Sequence, residues 1–435
     1  MSIIFFSFLF KIILTNNLII HFKKLKNNSF PHFILDNEIY TNCLNIGTPF
    51  QNVLMFFRFD LIGLSIVSKN ISGNYNQLNS LSYTKIRDEK FIDGREFIAG
   101  DISNETILIN DKIEIKNFSF FLINNFSDSF KTTNGYIGLK LKDYYSNVNF
   151  NFLSQLKLFN IIDFYIFTIK YKNNDEGEII FGNLPHEYDN KYYDSKYYKY
   201  ILTGVSKERK ISWSINFNKV YYNFNSNEVN ENKINAGLYL NIGGIIAPTS
   251  YQNYINEQFF NYYFEKKICD IKEVNISFNY IHIYECEKNI DIKKFNTIAF
   301  EQKELNFNFS FSYNEMFIEN NNKIYFLVIF NKYSRDSWIL GEVFFKKYQL
   351  IFEQDKKIIG FYYKIKDKNN FFNFNKILNI ILIVVILIFI VIFIYKYLNN
   401  NKRKFHANEL DENFEYVSDY NNINKEYKKM EMSKK

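Results

Sequence analysis

Polar and apolar residues alternate along most of the chain between about residues 34 and 364, most strictly in residues 306–313, NFNFSFSY. Successive side chains of a strand point to opposite faces, so this pattern predicts half-buried strands. Short β-branched runs at residues 107–109 and 178–181 predict further strands. A helix is predicted over residues 251–264, after a Thr-Ser pair that can cap it. The body of the chain is therefore predicted to be all-β and large enough for two lobes.

A long apolar run follows this body, from residue 377 to residue 395, with one strongly polar member, Asn379. At 1.5 Å per residue a helix of about 19 residues spans about 29 Å, which matches the hydrocarbon core of a bilayer. Lys396 and the basic run 402–404 come directly after it, which places the C-terminus in the cytosol. We expect a linker at 366–376, a transmembrane helix at 377–398 and a disordered cytosolic tail at 399–435.

The first residues form a shorter apolar stretch, 3–10 and 12–14, interrupted by Lys11. It predicts a signal sequence or signal anchor over residues 1–24, and a cleaved signal is the favoured alternative. Residues 25–33 then form a short pro-segment or linker. With the C-terminal helix, this predicts a single-pass protein of the secretory pathway or cell surface, with its bulk lumenal or extracellular.

Composition excludes several classes of protein. The 435 residues carry 53 Lys and Arg against 46 Asp and Glu, a net charge of +7, which is too small for its length to indicate a nucleic-acid partner. Three cysteines exclude a disulfide-dense domain and a four-cysteine zinc site. Cys269 and Cys286 form a bridge, or all three cysteines are unpaired buried thiols. The five histidines lack metal-ligand spacing, so no metal and no cofactor are predicted.

Gly and Pro are rare, at 15 and 4 residues, and so is Trp, at 2, which makes their positions informative. Both tryptophans, two of the four prolines and eight of the 15 glycines occur in six short segments: 40–51 (YTNCLNIGTPFQ), 93–100 (DGREFIAG), 134–139 (NGYIGL), 177–185 (GEIIFGNLP), 213–215 (WSI) and 337–344 (SWILGEVF). In this order the segments resemble the landmarks of the pepsin-like aspartic proteases. The membrane anchor and the composition are similar to the plasmepsin-like branch of that family.

The resemblance implies a bilobal fold, with an N-terminal β lobe at 34–200 and a C-terminal β lobe at 201–365. It implies a monomer with a peptide-binding cleft between the lobes, and a flap over the cleft that includes Asp93, Gly94 and Gly100. The segment 338–344 is expected to be a strand of the interlobe core.

The family's chemistry needs two Asp carboxylates, one from each lobe, that share one proton across the cleft. Counted without gaps from the landmark 47–49, the first position falls on Arg58, and a two-residue slip moves it to Asp60. The second position falls on Tyr239, counted back from the landmark Pro248, or on Asn241 after a two-residue deletion. The sequence has no Asp between residues 194 and 270, so no register restores the second carboxylate. The dyad is not intact.

The neighbouring positions are changed as well. A guanidinium is always charged and cannot act as a general base, so Arg58 does not replace the missing Asp. Phe59 and Leu240 stand where hydroxyl residues support the two loops in the family, and Asp93 stands in the place of the flap tyrosine. Because a buried charge needs a partner, Arg58 is predicted to pair with Asp60 or Asp93; the alternative is that it extends into solvent.

Three functions are consistent with these residues. The favoured hypothesis is a catalytically inactive, membrane-anchored pseudoprotease that binds an extended peptide or protein partner in the cleft. The second is an active aspartic-type endopeptidase of the secretory pathway. The third is a receptor or adhesin ectodomain in which the surface, and not the cleft, makes the contacts.

Overall fold

The computed structural model describes residues 16–93, 96–126, 135–141, 151–204, 213–222, 234–276, 279–331, 338–365 and 382–398. The chain divides into two compact units, Met1–Ile365 and Lys366–Lys435. Both expected lobes belong to the first unit, which consists mainly of strands. The all-β prediction for the body of the chain is confirmed.

The strands are numbered along the chain. The first part contains β1 Leu18–Lys24, β2 Ile39–Thr41, β3 Leu44–Ile46, β4 Gln51–Asn52, β5 Met55–Arg58, β6 Ile62–Val67, β7 Thr84–Asp93, β8 Glu96–Ile109, β9 Ile113–Phe126, β10 Gly135–Leu139, β11 Ile166–Tyr171, β12 Glu176–Phe181 and β13 Tyr198–Leu202. The second contains β14 Ser214–Phe217, β15 Lys219–Tyr222, β16 Ile234–Leu238, β17 Ile245–Pro248, β18 Cys269–Ile276, β19 Asn279–Glu287, β20 Ile298–Gln302, β21 Phe307–Phe311, β22 Phe317–Asn320, β23 Lys323–Phe326, β24 Val328–Asn331, β25 Trp338–Leu340, β26 Ile351–Glu353 and β27 Ile358–Tyr362.

The helices of the first unit are short. They are α1 His32–Leu35, α2 Phe152–Leu158, α3 Pro185–Tyr188, α4 Gln252–Ile255, α5 Asn261–Glu265, α6 Tyr313–Met316 and α7 Glu342–Lys347, with a π-helix at Asn256–Phe260. Short 3₁₀ turns lie at Gln77–Asn79, Ser195–Tyr197, Thr249–Tyr251 and Ile292–Lys294. The helix predicted over residues 251–264 is confirmed, since α4, the π-helix and α5 are continuous. Side-chain caps begin α2 and α6: Asn151 accepts from the Ser154 amide, and Ser312 and Glu315 form a capping box.

The largest sheet has 15 strands among the described residues, in the order β13-β27-β26-β11-β12-β1-β2-β5-β10-β6-β9-β8-β3-β4, with β7 on β8. Strand β1 lies inside it, antiparallel to both β12 and β2. Its residues Leu18, Ile20 and Phe22 are buried and alternate with residues turned toward solvent. The predicted leader, residues 1–24, thus overlaps a strand of this sheet, and the leader itself stays a prediction. Residues 1–15 lie outside the described residues.

The second sheet follows the order β14-β16-β25-β17-β24-β19-β23-β22, with β18 on β19, and a three-stranded sheet contains β15, β20 and β21. The expected lobe boundary at residue 200 falls inside β13. The last two strands, β26 and β27, belong to the largest sheet, so residues 351–362 pair with strands of the first lobe. The segment 338–344 also differs from its expected form. Trp338 is buried inside the second sheet, and α7 begins at Glu342.

A four-strand pattern occurs once in each large sheet. In the first, β10 is parallel to β5 and antiparallel to β6, and β6 is parallel to β9. In the second, β25 is parallel to β16 and antiparallel to β17, and β17 is parallel to β24. Parallel neighbours need a long crossover connection, so the same uncommon topology built twice indicates that the two lobes are equivalent units. This repeat positions the site described below.

The structure shows which cysteines are bonded to each other. Cys269 and Cys286 lie opposite each other on β18 and β19 and form a disulfide, while Cys43 is free. In the second unit, residues 382–398 are helical. Within the described part of the chain, no helix is long and apolar enough to cross a membrane. The predicted span 377–398 begins outside the described residues, as does all of the predicted tail 399–435, and both stay predictions.

Candidate functional site

Two loops occupy equivalent places in the two repeated units. In the first sheet, Ile137 of β10 lies opposite Phe57 of β5 and Leu64 of β6. In the second sheet, Leu340 of β25 lies opposite Leu238 of β16 and Ile245 of β17. The first loop (residues 58–63) and the second loop (residues 239–244) therefore connect matching strand positions and have the same length. By this correspondence, Arg58 matches Tyr239.

The same register matches the other residues of the loops: Phe59 with Leu240, Asp60 with Asn241, and Gly63 with Gly244. The correspondence rests on backbone pairing and not on residue type, so it is independent of the counting used on the sequence. It places Arg58 and Tyr239, the two residues reached by counting without gaps in the sequence, at equivalent positions. It likewise makes the two alternative residues, Asp60 and Asn241, equivalent to each other.

Arg58 forms an ion pair with Asp60 within the first loop. Its Nε donates to Asp60 Oδ1 at 2.9 Å and its Nη2 donates to Oδ2 at 2.7 Å. The side chains are 24% and 40% exposed, so the pair lies at the edge of the protein interior. This two-bond geometry suits a planar guanidinium and a carboxylate, and it uses both oxygens of Asp60. The predicted pairing of Arg58 with a carboxylate is confirmed, with Asp60 as the partner.

The pair shifts the pKa of both groups. Burial alone would raise the pKa of Asp60, but the hydrogen bonds and charge of Arg58 outweigh it and hold that pKa below its usual value. Burial would likewise lower the pKa of Arg58, while the bonds to Asp60 and its charge raise it overall. Both groups are therefore charged at neutral pH. An ionised carboxylate tied to a guanidinium by two bonds is a poor proton donor and a weak base.

Two more groups surround Arg58. Its guanidinium carbon lies 5.7 Å from the ring centre of the buried Tyr136 on β10, within the range of a cation–π contact. Glu38 is near enough to interact electrostatically with Arg58. Burial, with a smaller effect from Asp36, raises the pKa of Glu38, and Arg58 partly offsets the rise. Sequence analysis did not identify Tyr136 or Glu38, because their proximity to Arg58 depends on strand pairing.

Phe59 and Leu240 point into the core. Phe59 is 3% exposed and makes edge-to-face contacts with Phe167, Phe345 and Phe352 at ring distances of 5.9, 5.5 and 5.2 Å. Leu240 is fully buried. Apolar packing therefore holds both loops at positions where the family resemblance implied hydroxyl hydrogen bonds. Phe345 belongs to α7, whose first amide, that of Glu342, donates to Ile242 O of the second loop at 2.7 Å. Helix α7 thus connects the two loops.

The second loop is held by residues that precede β2. The amide of Asn37 donates to Asn241 O at 2.9 Å, and the amide of Gly243 donates to Leu35 O at 3.0 Å. The buried side chain of Asn37 donates to Leu240 O at 2.7 Å and contacts the Tyr171 hydroxyl at 3.0 Å. Backbone pairing therefore fixes the second loop from the N-terminal side. Neither Asn37 nor Leu35 was identified from the sequence.

Two glycines let the loops lie against the strands between them. A Cβ on Gly138 would approach Leu61 O to 2.4 Å, and a Cβ on Gly341 would approach Ile242 O to 2.3 Å. Both distances are too short for any side chain. These glycines, in the segments 134–139 and 337–344, are the sequence signal from which the equivalence of the loops could have been found.

The expected flap corresponds to the hairpin of β7 and β8. The backbone of Asp93 pairs with Glu96 at its tip, while the side chain of Asp93 and all of Gly94 lie outside the described residues. Gly100 lies at a register shift between β8 and β9, where a Cβ would come within 1.9 Å of Leu122 O. At the base of the hairpin, Lys85 bridges Asp88 and Asp101 at 2.7 and 2.9 Å.

The site carries one ion pair and no second carboxylate on the described second loop. Acid–base cleavage of a peptide needs one group to take a proton while another donates one. Around Arg58 the carboxylates that could exchange a proton are those of Asp60, which is already paired with Arg58, and of Glu38. Within the described ranges, no cluster of three or more His, Cys, Asp or Glu side chains could hold a metal ion.

Comparison with known proteins agrees with this architecture. A sequence model of eukaryotic aspartyl proteases matches residues 40–363, a range that includes both loops, the β7–β8 hairpin and strands of all three sheets. A search of curated proteins found no significant match to the chain. The matched range covers well over half of the 435 residues. The chain belongs to the eukaryotic aspartyl protease family.

Proposed function

We propose that this protein is a membrane-anchored pseudoprotease: it keeps the family fold, does not hydrolyse peptides, and binds an extended peptide or protein segment between its lobes. In this proposal Arg58 and Tyr239 occupy the two positions where active family members carry the catalytic carboxylates. The observation that carries it is the equivalence of Arg58 and Tyr239 in the repeated strand pattern.

The chemistry of the two positions supports the loss of hydrolysis. A shared-proton pair needs two carboxylates close together, since only then does one ionise while the other stays protonated. A guanidinium and a phenol cannot form such a pair. Asp60 is held ionised by Arg58. The residue that matches Asp60 in the second loop is Asn241, whose amide has no proton-transfer chemistry.

Peptide binding does not need the missing carboxylates. Extended segments bind to strand edges and hairpins through backbone hydrogen bonds, and side-chain pockets add specificity. The hairpin of β7 and β8 and the two loops are present, and their geometry rests on glycine contacts and apolar packing. In this proposal the protein is a monomer. Its bulk lies on the lumenal or extracellular side, and residues 377–398 anchor it in the membrane.

Hydrolysis is tested with the full chain in detergent or lipid nanodiscs against a mixed peptide library between about pH 3 and pH 7, where carboxylate pairs work. We expect no acid-dependent turnover. Turnover that Asp60→Ala abolishes would overturn the proposal and support the endopeptidase alternative. Turnover that survives Asp60→Ala would be attributed to a contaminating protease.

A matched pair of ligands tests the site itself. A statine-type peptide carries a hydroxyl that imitates the transition state, and transition-state analogues bind about 10²–10⁸-fold more tightly than substrates to active enzymes. We expect the statine peptide and its counterpart without the hydroxyl to bind equally. A large preference for the statine peptide would indicate a functioning pair of acids. Absence of binding by either peptide, across a varied library, would favour the receptor or adhesin alternative.

A further inference from the structure

The connection between β1 and β2 leaves the largest sheet and returns to it. Lys24 at the end of β1 pairs with Ile39 at the start of β2, so both ends of the connection are fixed in the sheet. We call residues 25–38, which include α1, the β1–β2 loop. Because its ends are held by each other, the middle of this loop is able to move without opening either strand.

The middle of the β1–β2 loop pairs with the second loop as an extended segment. Asp36 forms an antiparallel bridge with Ile242. On one side of the bridge the Asn37 amide donates to Asn241 O at 2.9 Å, and on the other Leu35 O accepts from the amide that follows Ile242 at 3.0 Å. An extended peptide binds a strand edge through backbone bonds of this kind. These three residues therefore fill an edge of the second loop that a peptide would use.

The equivalent edge of the first loop is open. In the repeated strand pattern, Asp60 O and the Ile62 amide match the two groups of the second loop that the β1–β2 loop occupies. The Lys140 amide donates to Leu61 O at 3.0 Å, so the amide of the next residue, Ile62, points away from β10. Among the described residues, neither Asp60 O nor the Ile62 amide has a backbone partner. One loop edge is thus free for a ligand, while the other is already paired with this chain.

Apolar side chains hold the β1–β2 loop against the second lobe. Ile34 and Leu35 are buried in a cluster with residues of β17, β19, β23 and β24. The rings of Phe33 and Phe30 lie 5.0 and 5.6 Å from the ring of Tyr325 on β23. The loop is thus held in the way that a docked peptide is held, by backbone bonds to a strand edge and by apolar side chains beside it.

We propose that the β1–β2 loop is a built-in competitor for the second loop, which closes this half of the cleft to other peptides. The inference rests on the proposed peptide-binding cleft and adds its regulation. A ligand that belongs to the same chain acts at an effective concentration of about millimolar, so a weakly binding peptide does not displace it. A partner gains the second loop only with an extended apolar segment that replaces residues 30–37, and the open edge of the first loop is its point of entry.

The test uses the loop's own sequence as the probe, a fluorescent peptide SFPHFILDNE with the sequence of residues 29–38. Binding is measured by fluorescence anisotropy to the full chain in nanodiscs and to a turn variant, in which Asn-Gly replaces residues 26–37. Asn-Gly closes a two-residue hairpin, and Leu25 and Glu38 are already bonded across the gap. The control peptide carries Asn37→Pro, which removes the amide that donates to Asn241 O.

We expect the turn variant to bind the probe at least about tenfold more tightly than the unchanged chain, because the competing loop is gone. The control peptide should bind the turn variant several-fold more weakly than the probe does. Equal affinity of the two proteins for the probe would overturn the proposal. So would a folded turn variant that does not bind the probe, or one that binds the probe and the control peptide equally.

A second variant covers failure of the turn variant to fold, which the fluorescence of the buried Trp213 and Trp338 reports. Phe30→Ala with Phe33→Ala removes the ring contacts with Tyr325 and leaves the backbone of the loop in place. This double variant should bind the probe more tightly than the unchanged chain, by a smaller factor than the turn variant. An unchanged affinity would overturn the proposal.

The peptide library used to test the proposed function separates the two failures. Library peptides that bind a folded turn variant while the probe does not would overturn the competition and leave the peptide-binding cleft standing. A folded turn variant that binds neither the probe nor any library peptide would overturn both. Binding of the probe to the turn variant alone supports both the cleft and its regulation.

Discussion

The first and second loops have the same length and the same strand register, but different means hold them in place. The first loop carries an ion pair, Arg58 with Asp60, and a buried ring, Phe59. The second loop has no charged residue, and hydrogen bonds with Leu35 and Asn37 fix its backbone. The topology and the closely packed glycines therefore maintain the loop geometry, whereas the residues at its chemically important positions differ between the two loops.

The largest expected losses of stability come from the buried apolar residue of each loop. Phe59→Ala should lower the free energy of unfolding by about 3–5 kcal/mol, because it removes a ring packed against three others. Leu240→Ala should cost about 2–5 kcal/mol. The chain's two tryptophans, Trp213 and Trp338, are both buried, so unfolding of the first unit can be followed by their fluorescence. A loss below about 1 kcal/mol for Phe59→Ala would show that the ring does not connect the loops.

The next prediction concerns the side-chain hydrogen bond of Asn37 that holds the second loop. Asn37→Ala removes a buried donor and leaves Leu240 O without its bond, so we expect a loss of about 1–3 kcal/mol. Asn52→Ala is the matched control, since the side chain of Asn52 is exposed and its hydrogen bonds lie at the surface. Equal unfolding midpoints for the two variants would indicate that the amide of Asn37, and not its side chain, holds the loop.

The ion pair of the first loop should have a smaller effect. Because both partners are partly exposed, Asp60→Asn should lower stability by about 1 kcal/mol, between the values of surface and buried pairs. Asp270→Asn breaks the more exposed pair with Lys272 and should change stability by less than about 0.5 kcal/mol. Chemical denaturation of the two variants beside the unchanged protein compares them. A stabilising Asp60→Asn would mean that the carboxylate is under strain in the loop.

The smallest effect is the pH dependence of that pair. The pKa of Asp60 is lower in the folded protein than in the unfolded chain, where it is about 3.9. The unfolded state therefore binds more protons at acidic pH, and the contribution of Asp60 is complete above about pH 4 and lost as the pH falls through its folded value. The stability difference between the unchanged protein and Asp60→Asn should shrink as the pH falls below about 4. A difference that grows on acidification would contradict the sign of the shift.

The features that depend only on residues close together in the chain could be predicted from the sequence. The strands, the helical stretch near residues 252–265 and the pairing of Arg58 with Asp60 follow from alternation, capping and a separation of two residues. The anchoring of the second loop could not be predicted, because Asn37 and Leu240 are 203 residues apart and neither belongs to a motif. Strand β1 was not predicted, because its place in the sheet depends on pairing with β12, which lies more than 150 residues further along the chain. The side chain of Asp93 and the residue Gly94 stay untested as parts of a flap.

The position of β1 and of β26 and β27 in one sheet has a consequence for how the protein is made. Strand β1 leaves the ribosome long before β26 and β27, which complete the same sheet beyond β11 and are made only after residue 350. We therefore expect the first lobe to complete its sheet only after residues 351–362 have been made. Its early strands must wait with β11 unpaired on one side, and such nonlocal pairing folds slowly and leaves an edge open to wrong partners. A stalled chain that ends near residue 340 should therefore stay sensitive to protease in its first lobe, until the last two strands are added and close the sheet.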